Sequence, residues 1–174
     1  MSRSDFELIT WSDTFSCGIK LIDNQHKSLV NLVNEMFNHV SGDEEQEREY
    51  FKRVIIEAVK YIKSHFATEE KIMIATKFSG YSNHKRAHDQ FIATVASHIS
   101  NFTAKKRFSL YSFTNFLKNW VLSHIAVMDK QYFVYIRKIA TTKADGKLSV
   151  SFEDIQAAVK DKKDISSNVL KNSA

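Results

Sequence analysis

HFATEEKIM, residues 65–73, has the period of an amphipathic helix, yet it sets His65 and Glu69, one turn apart, where apolar residues belong. Extended outward, the stripe on this segment runs Phe51, Ile55, Ala58, Ile62, His65, Glu69, Ile72, in alternating steps of three and four. Three other segments carry the same kind of stripe. The first runs Ile22, His26, Leu29, Val33, Phe37, Val40; the third Tyr81, His84, His88, Phe91, Val95, Phe102; the fourth Phe113, Leu117, Trp120, His124, with Asp129 five residues on. Each has ionisable groups on its buried side.

The punctuation of the chain agrees with four long helices. There is no proline, and Gly18, Gly42 and Gly80 fall between the periodic segments. The remaining break lies at KKRFS, 105–109, where Ser109 is placed to cap the fourth helix. Helices are expected at about 20–40, 45–77, 82–103 and 110–140. Short connections between long helices predict an all-α, antiparallel up-down-up-down four-helix bundle. A length of 174 residues suits one such domain. Residues 1–140 are assigned to the bundle and an N-terminal arm, and 141–174 to a C-terminal extension. In the extension TTKADGKLSV reads as a linker, and SFEDIQAAVKDKK as a short helix capped by Ser151, with Ile155, Ala158 and Val159 on its apolar side. An inert extension is favoured over a partner-binding one.

Composition excludes several classes. A net charge of +5 is spread among scattered lysines, arginines and acids with no dense basic stripe, so nucleic acid is not an expected partner. No segment is apolar enough to span a bilayer, so no membrane is expected either. The single Cys17 excludes internal disulfides, and MSRSDFELITW lacks the apolar run of a signal peptide, which together predict a cytoplasmic protein. The chain is read as a monomer.

One histidine on an apolar face is ordinarily a hydrogen-bonded core residue. Seven ionisable groups on four seams are another matter, because burial without compensation costs several kcal/mol for each. A bound cation offsets that cost. The pairs His65/Glu69 and His84/His88 are i,i+4, so both members reach one centre from one helix face. Five imidazoles and two carboxylates exceed a tetrahedral zinc site and favour two metals over one. Imidazole with carboxylate suits iron better than Ca²⁺ or Mg²⁺.

These residues resemble the hemerythrins, specifically the bacterial single-domain kind. The likeness lies in GIKLIDNQHKSLVNLVNEM (18–36), HFATEEKIM (65–73), HKRAHDQF (84–91) and HIAVMDKQY (124–132), within about residues 10–140. The resemblance implies a non-haem di-iron centre, oxo- or hydroxo- and carboxylate-bridged, that binds O2 reversibly for storage, delivery or scavenging. By position, His84, His88 and His124 hold one iron, His26 and His65 the other, and Glu69 and Asp129 bridge; the iron with two histidines keeps the position open for O2. Nitric oxide and peroxide are alternative ligands. An O2 or redox sensor acting through a partner protein, and a di-iron peroxidase or oxidase, are the alternative functions, but no acid–base residues beyond the ligands point to an enzyme. One departure is Ser82 in FSGYSNH, 78–84, where relatives usually carry a proline.

Helix phase adds two expectations. Trp120, Val121, Val127 and nearby phenylalanines should wall the site against water. His124 and Asp129 stand about 140° apart on a regular helix. Continuing the seam unbroken from His124 would bury Gln131 and Lys138, whereas one extra residue moves it to Tyr132, Tyr135, Ile136 and Ile139. A π-bulge between His124 and about Asp129 is therefore expected.

Overall fold

A computed structural model describes residues 7–140, and these form a four-helix bundle. Helix α1 spans Lys20–Asn38, α2 Glu44–Ala75 and α3 Tyr81–Thr103. The fourth rod is continuous but composite: α4 over Leu110–Ser123, a π-helical segment over His124–Asp129, and α5 over Lys130–Ala140. The expected linker and short helix at 141–174 lie outside the described residues.

Local chemistry sets the helix ends. Asp43 caps α2, its Oδ1 accepting from the Glu45 and Gln46 amides at 3.0 and 3.1 Å while Gln46 Nε2 donates to Oδ2 at 2.9 Å. Ser109 caps α4, accepting from the Ser112 amide at 3.2 Å. Gly42 stands in the turn before α2 at φ +83°. Gly80 stands between α2 and α3, where the glycine pattern placed it, but it is not the residue that ends α2. Lys77 does so, at φ 54°, with the Phe78 amide bonded to Met73 O at 2.9 Å. Lys105 repeats the arrangement after α3, with Lys106 N bonded to Asn101 O at 3.0 Å. Both ends use the left-handed cap usually given to glycine, and lysine fills it here.

The seams are buried largely where periodicity puts them. All seven stripe residues of α2 are buried. On α1 the stripe ends differently: Met36 is fully buried, while Phe37 and Val40 are half-buried. The regular step of three from Val33 wins over the larger side chain. The apolar core divides into two clusters. One gathers Leu29, Val33, Phe51, Ile62, Phe66, Phe91, Leu117, Val121 and Ile125. The other holds Ile22, Ile72, Met73, Tyr132, Phe133 and Ile136. On each rod the histidines and carboxylates come between or beside these clusters, so the bundle has a polar layer inside an apolar core.

The π-helical segment appears where the seam required it. Beyond it Gln131 and Lys138 are exposed, Tyr132 and Ile136 buried, and Tyr135 and Ile139 half-buried. One residue of widening thus rephases the whole of α5. At the same end of the bundle, Asp23 fastens the N-terminal arm by accepting from Ser16 Oγ at 2.8 Å and from the amides of Cys17 and Gly18 at 2.7 and 3.2 Å.

Candidate metal centre

His26, His65, Glu69, His84, His88, His124 and Asp129 converge in the polar layer, none more than 3% exposed. They form two groups of donor atoms, each group spanning no more than 4.8 Å: Glu69, His84, His88 and His124, and His26, His65, Glu69 and Asp129. Glu69 belongs to both. Its Oε2 lies 3.3 Å from His88 Nε2, 3.5 Å from His84 Nε2 and 3.6 Å from His65 Nε2, and its Oε1 3.8 Å from His26 Nε2. Asp129 also faces two ways. Its Oδ1 is 3.1 Å from His124 Nε2 and 3.3 Å from His84 Nε2, and its Oδ2 is 3.2 Å from His26 Nε2.

Proximity is not hydrogen bonding here. The Nε2 atoms of His26, His65 and His84, Glu69 Oε2 and both carboxylate oxygens of Asp129 are buried without a hydrogen-bond partner. The exception is the pair His88 Nε2 and His124 Nε2, which share one hydrogen bond at 3.1 Å. Buried polar atoms that crowd together without bonding incur a desolvation cost with nothing to offset it. Cations among them remove the deficit: the neutral imidazoles donate their lone pairs, and the carboxylates supply negative charge. The residues present therefore fit a pair of metal ions.

Protons are unevenly shared in the cluster: His26 and His124 are driven to hold them, whereas His65 and Glu69 are driven to give them up. Burial disfavours the charge on His26, but Asp129 and Glu69 beside it push its pKa up to about 9. His124 is likewise lifted to about 9 against burial, by Asp129 and Glu69. Burial pulls His65 down to about 4. Burial alone would raise Glu69, yet His65, His124, His26 and His84 around it hold it well below the usual carboxylate range.

Three further side chains support the cluster. Gln25 Oε1 lies 3.2 Å from His65 Nδ1, and Glu70 Oε1 3.0 Å from His88 Nδ1. Tyr132, fully buried, donates its hydroxyl to Glu69 Oε1 at 2.7 Å. Sequence reasoning assigned Tyr132 to the apolar seam and gave Gln25 and Glu70 no part. Their only signal was adjacency, each being next in sequence to an expected ligand. The wall also differs from expectation: Val127 is 57% exposed, and Ile125 is buried in its stead. The widened turn swings Val127 outward. Trp120, half-buried, stacks on His124 at 4.3 Å between ring centres, and Phe66 lies flat on His88 at 3.7 Å.

The family model for the hemerythrin HHE cation binding domain matches residues 17–136. A bacteriohemerythrin of Stenotrophomonas maltophilia is 34% identical over 125 residues, covering 72% of this chain and 79% of its own. One from Pseudomonas aeruginosa is 32% identical over 129 residues, covering 74% and 82%. The crystal structure of a wild-type hemerythrin superposes with a TM-score of 0.63 at 26% identity, covering 73% of this chain and 96% of that one.

Proposed function

The chain belongs to the hemerythrin family and binds dioxygen at a di-iron site, and we propose that it does so reversibly, as an O2 store, carrier or scavenger rather than as an enzyme. In this reading His84, His88 and His124 hold one iron, His26 and His65 hold the other, Glu69 and Asp129 bridge, and O2 enters on the two-histidine side. The observation that carries it is the pair of donor groups that share Glu69, one with three imidazoles and the other with two. A pair of irons held by these residues would supply the two-electron exchange that reversible dioxygen binding needs.

The protein's own residues make that exchange reversible by what they hold still and what they keep out. Carboxylates facing both groups keep the two positions at a fixed separation. Gln25 and Glu70 accept from Nδ1 of His65 and His88, which leaves Nε2 of each with a lone pair for metal. Tyr132 orients Glu69. Phe66, Trp120, Val121, Ile125 and Phe133 surround the site with apolar surface, so water has little access to it. Among the described residues no helix is long and apolar enough to cross a membrane. The cytoplasm is the compartment we favour, since the chain's one cysteine is buried and unpaired.

The deciding experiment reduces the iron-loaded protein anaerobically, admits O2 and then removes it while the visible charge-transfer absorption is followed. A band that appears and reverses over several cycles is the expected result. Irreversible bleaching with release of a product would favour a peroxidase or oxidase.

A further inference from the structure

The two donor groups are backed unequally. Behind His88 stands a carboxylate, Glu70, with Oε1 3.0 Å from Nδ1; behind His65 stands a neutral amide, Gln25, at 3.2 Å. Nδ1 of His26 and of His124 is buried with no hydrogen-bond partner. Thus, among these four histidines, only His88 has an anionic group behind it. The contact is held in place from two sides. Phe66 stacks on the His88 ring at 3.7 Å and 4°, which blocks rotation, and the Glu70 side chain is only 20% exposed, with Lys85 Nζ 4.0 Å away. A carboxylate that accepts from Nδ1–H draws that proton toward itself and makes Nε2 a stronger donor, and an amide does so less.

We propose, on the di-iron reading above, that Glu70 is a positioning residue that makes the three-histidine iron the more easily oxidised of the pair. When one electron leaves to an outer-sphere oxidant, Fe²⁺ becomes Fe³⁺ at the site of His84, His88 and His124, and the two-histidine iron stays ferrous. The stronger donor lowers the energy of the higher charge, and Glu70 lies on that side alone. This complements the ligand count, since the iron with the open position would be the one that keeps its electron longer.

The test uses the full chain, iron-loaded, as the parent protein, Glu70→Gln and Gln25→Glu. Iron per chain is measured first, then the midpoint potential by mediated titration of the visible spectrum. In the metal-free parent, the ¹⁵N shifts of the histidines report the tautomer of His88. The expected results are about two irons per chain in each protein, a higher potential in Glu70→Gln, a lower one in Gln25→Glu, and a proton on His88 Nδ1. A purely structural role for Glu70 would alter iron content or melting temperature and leave the potential in place. Unchanged potentials at full iron content overturn this inference alone, and a parent chain that takes up no iron pair overturns the di-iron reading with it. If Glu70→Gln loses iron, Gln25→Glu decides: a lowered potential supports the inference and an unchanged one overturns it.

Discussion

Asp129 Oδ1 lies 3.1 Å from His124 Nε2, although the two stand five positions apart along one rod. A regular α-helix would aim them about 140° apart. The π-helical turn at His124–Asp129 closes that angle and shifts every later side chain by one place. Deleting Val127, which is exposed within the turn, should collapse it to a regular helix and keep Tyr132 and Ile136 facing inward. Deleting Val134, also exposed but in regular α5, should turn Ile136 away from the core. Helical circular dichroism and a cooperative melt are expected to survive the first deletion far better than the second. Equal damage would mean that the turn is not where the extra residue sits.

Glu69 faces both donor groups and Glu70 faces only the back of His88. Glu69→Gln should therefore reduce bound iron well below about two per chain, and His124→Ala should do the same by removing a donor, because bound metal follows the ligand count. Glu70→Gln should keep its iron. The check is iron content after gel filtration, and equal losses at the two glutamates would reverse their assignment.

Tyr132 is the third support of the cluster. Tyr132→Phe keeps the ring that packs on Phe133 and removes only the hydroxyl that bonds Glu69. The fold should be retained while iron is lost to a chelator roughly 10–100-fold more readily, the usual effect of removing such a support. Unchanged chelation kinetics would show that Glu69 needs no help in keeping its orientation.

Much of this was legible in the sequence, and the reasons are physical. Imidazoles and carboxylates on an apolar seam are costly enough to stand out, so six of the seven residues of the cluster were visible from periodicity, while Asp129, five places past His124 and off the regular seam, was placed by the likeness to the hemerythrins. The π-turn was legible for the same reason, since only a phase change keeps Gln131 and Lys138 out of the core. Gln25 and Glu70 were not, because a polar residue beside a ligand looks like any solvent-facing neighbour until the back of the ring is located. Lys77 was missed as a helix terminator because the signal sought there was glycine, and Lys105 was read only as part of the charged break at 105–109; the hydrogen bonds to Met73 O and Asn101 O hold both turns in the conformation usually given to glycine. Val127 was misassigned by counting regular turns through an irregular one.

Stability should depend strongly on one buried carboxylate far from the metal centre. Glu47, 7% exposed, accepts from the Ser41 and Gly42 amides at 3.0 and 2.9 Å and from the Leu110 amide at 3.3 Å, tying the α1–α2 turn to the start of α4. Glu47→Ala leaves the Leu110 amide buried and unbonded. The expected cost is about 1–3 kcal/mol, or roughly 3–10 °C in melting temperature. Glu47→Gln keeps one acceptor and should fall between. A melt unchanged in Glu47→Ala would show that water reaches this turn.

The metal-free and metal-loaded forms should respond to pH in opposite directions. In the bare protein His26 and His124 titrate at about 9, above the ordinary 6.5 of histidine, because Asp129 and Glu69 favour their charged forms. A group whose folded pKa is raised contributes stability fully below its unfolded value, near pH 6.5, and loses that contribution as pH rises through about 9. The bare protein should therefore melt at progressively lower temperature between those limits. Metal binding runs the other way, since each cation must displace the protons on Nε2 before it is coordinated. Affinity for a redox-inert divalent probe such as Zn²⁺ should climb over the same interval, with protons released into a weakly buffered solution. Calorimetry in two buffers of different ionisation enthalpy counts those protons, and differential scanning of the metal-free chain gives the melt. Affinity flat from pH 6.5 to 9, with no protons released, would mean that His26 and His124 are already neutral in the bare site and that the carboxylates find their partners elsewhere.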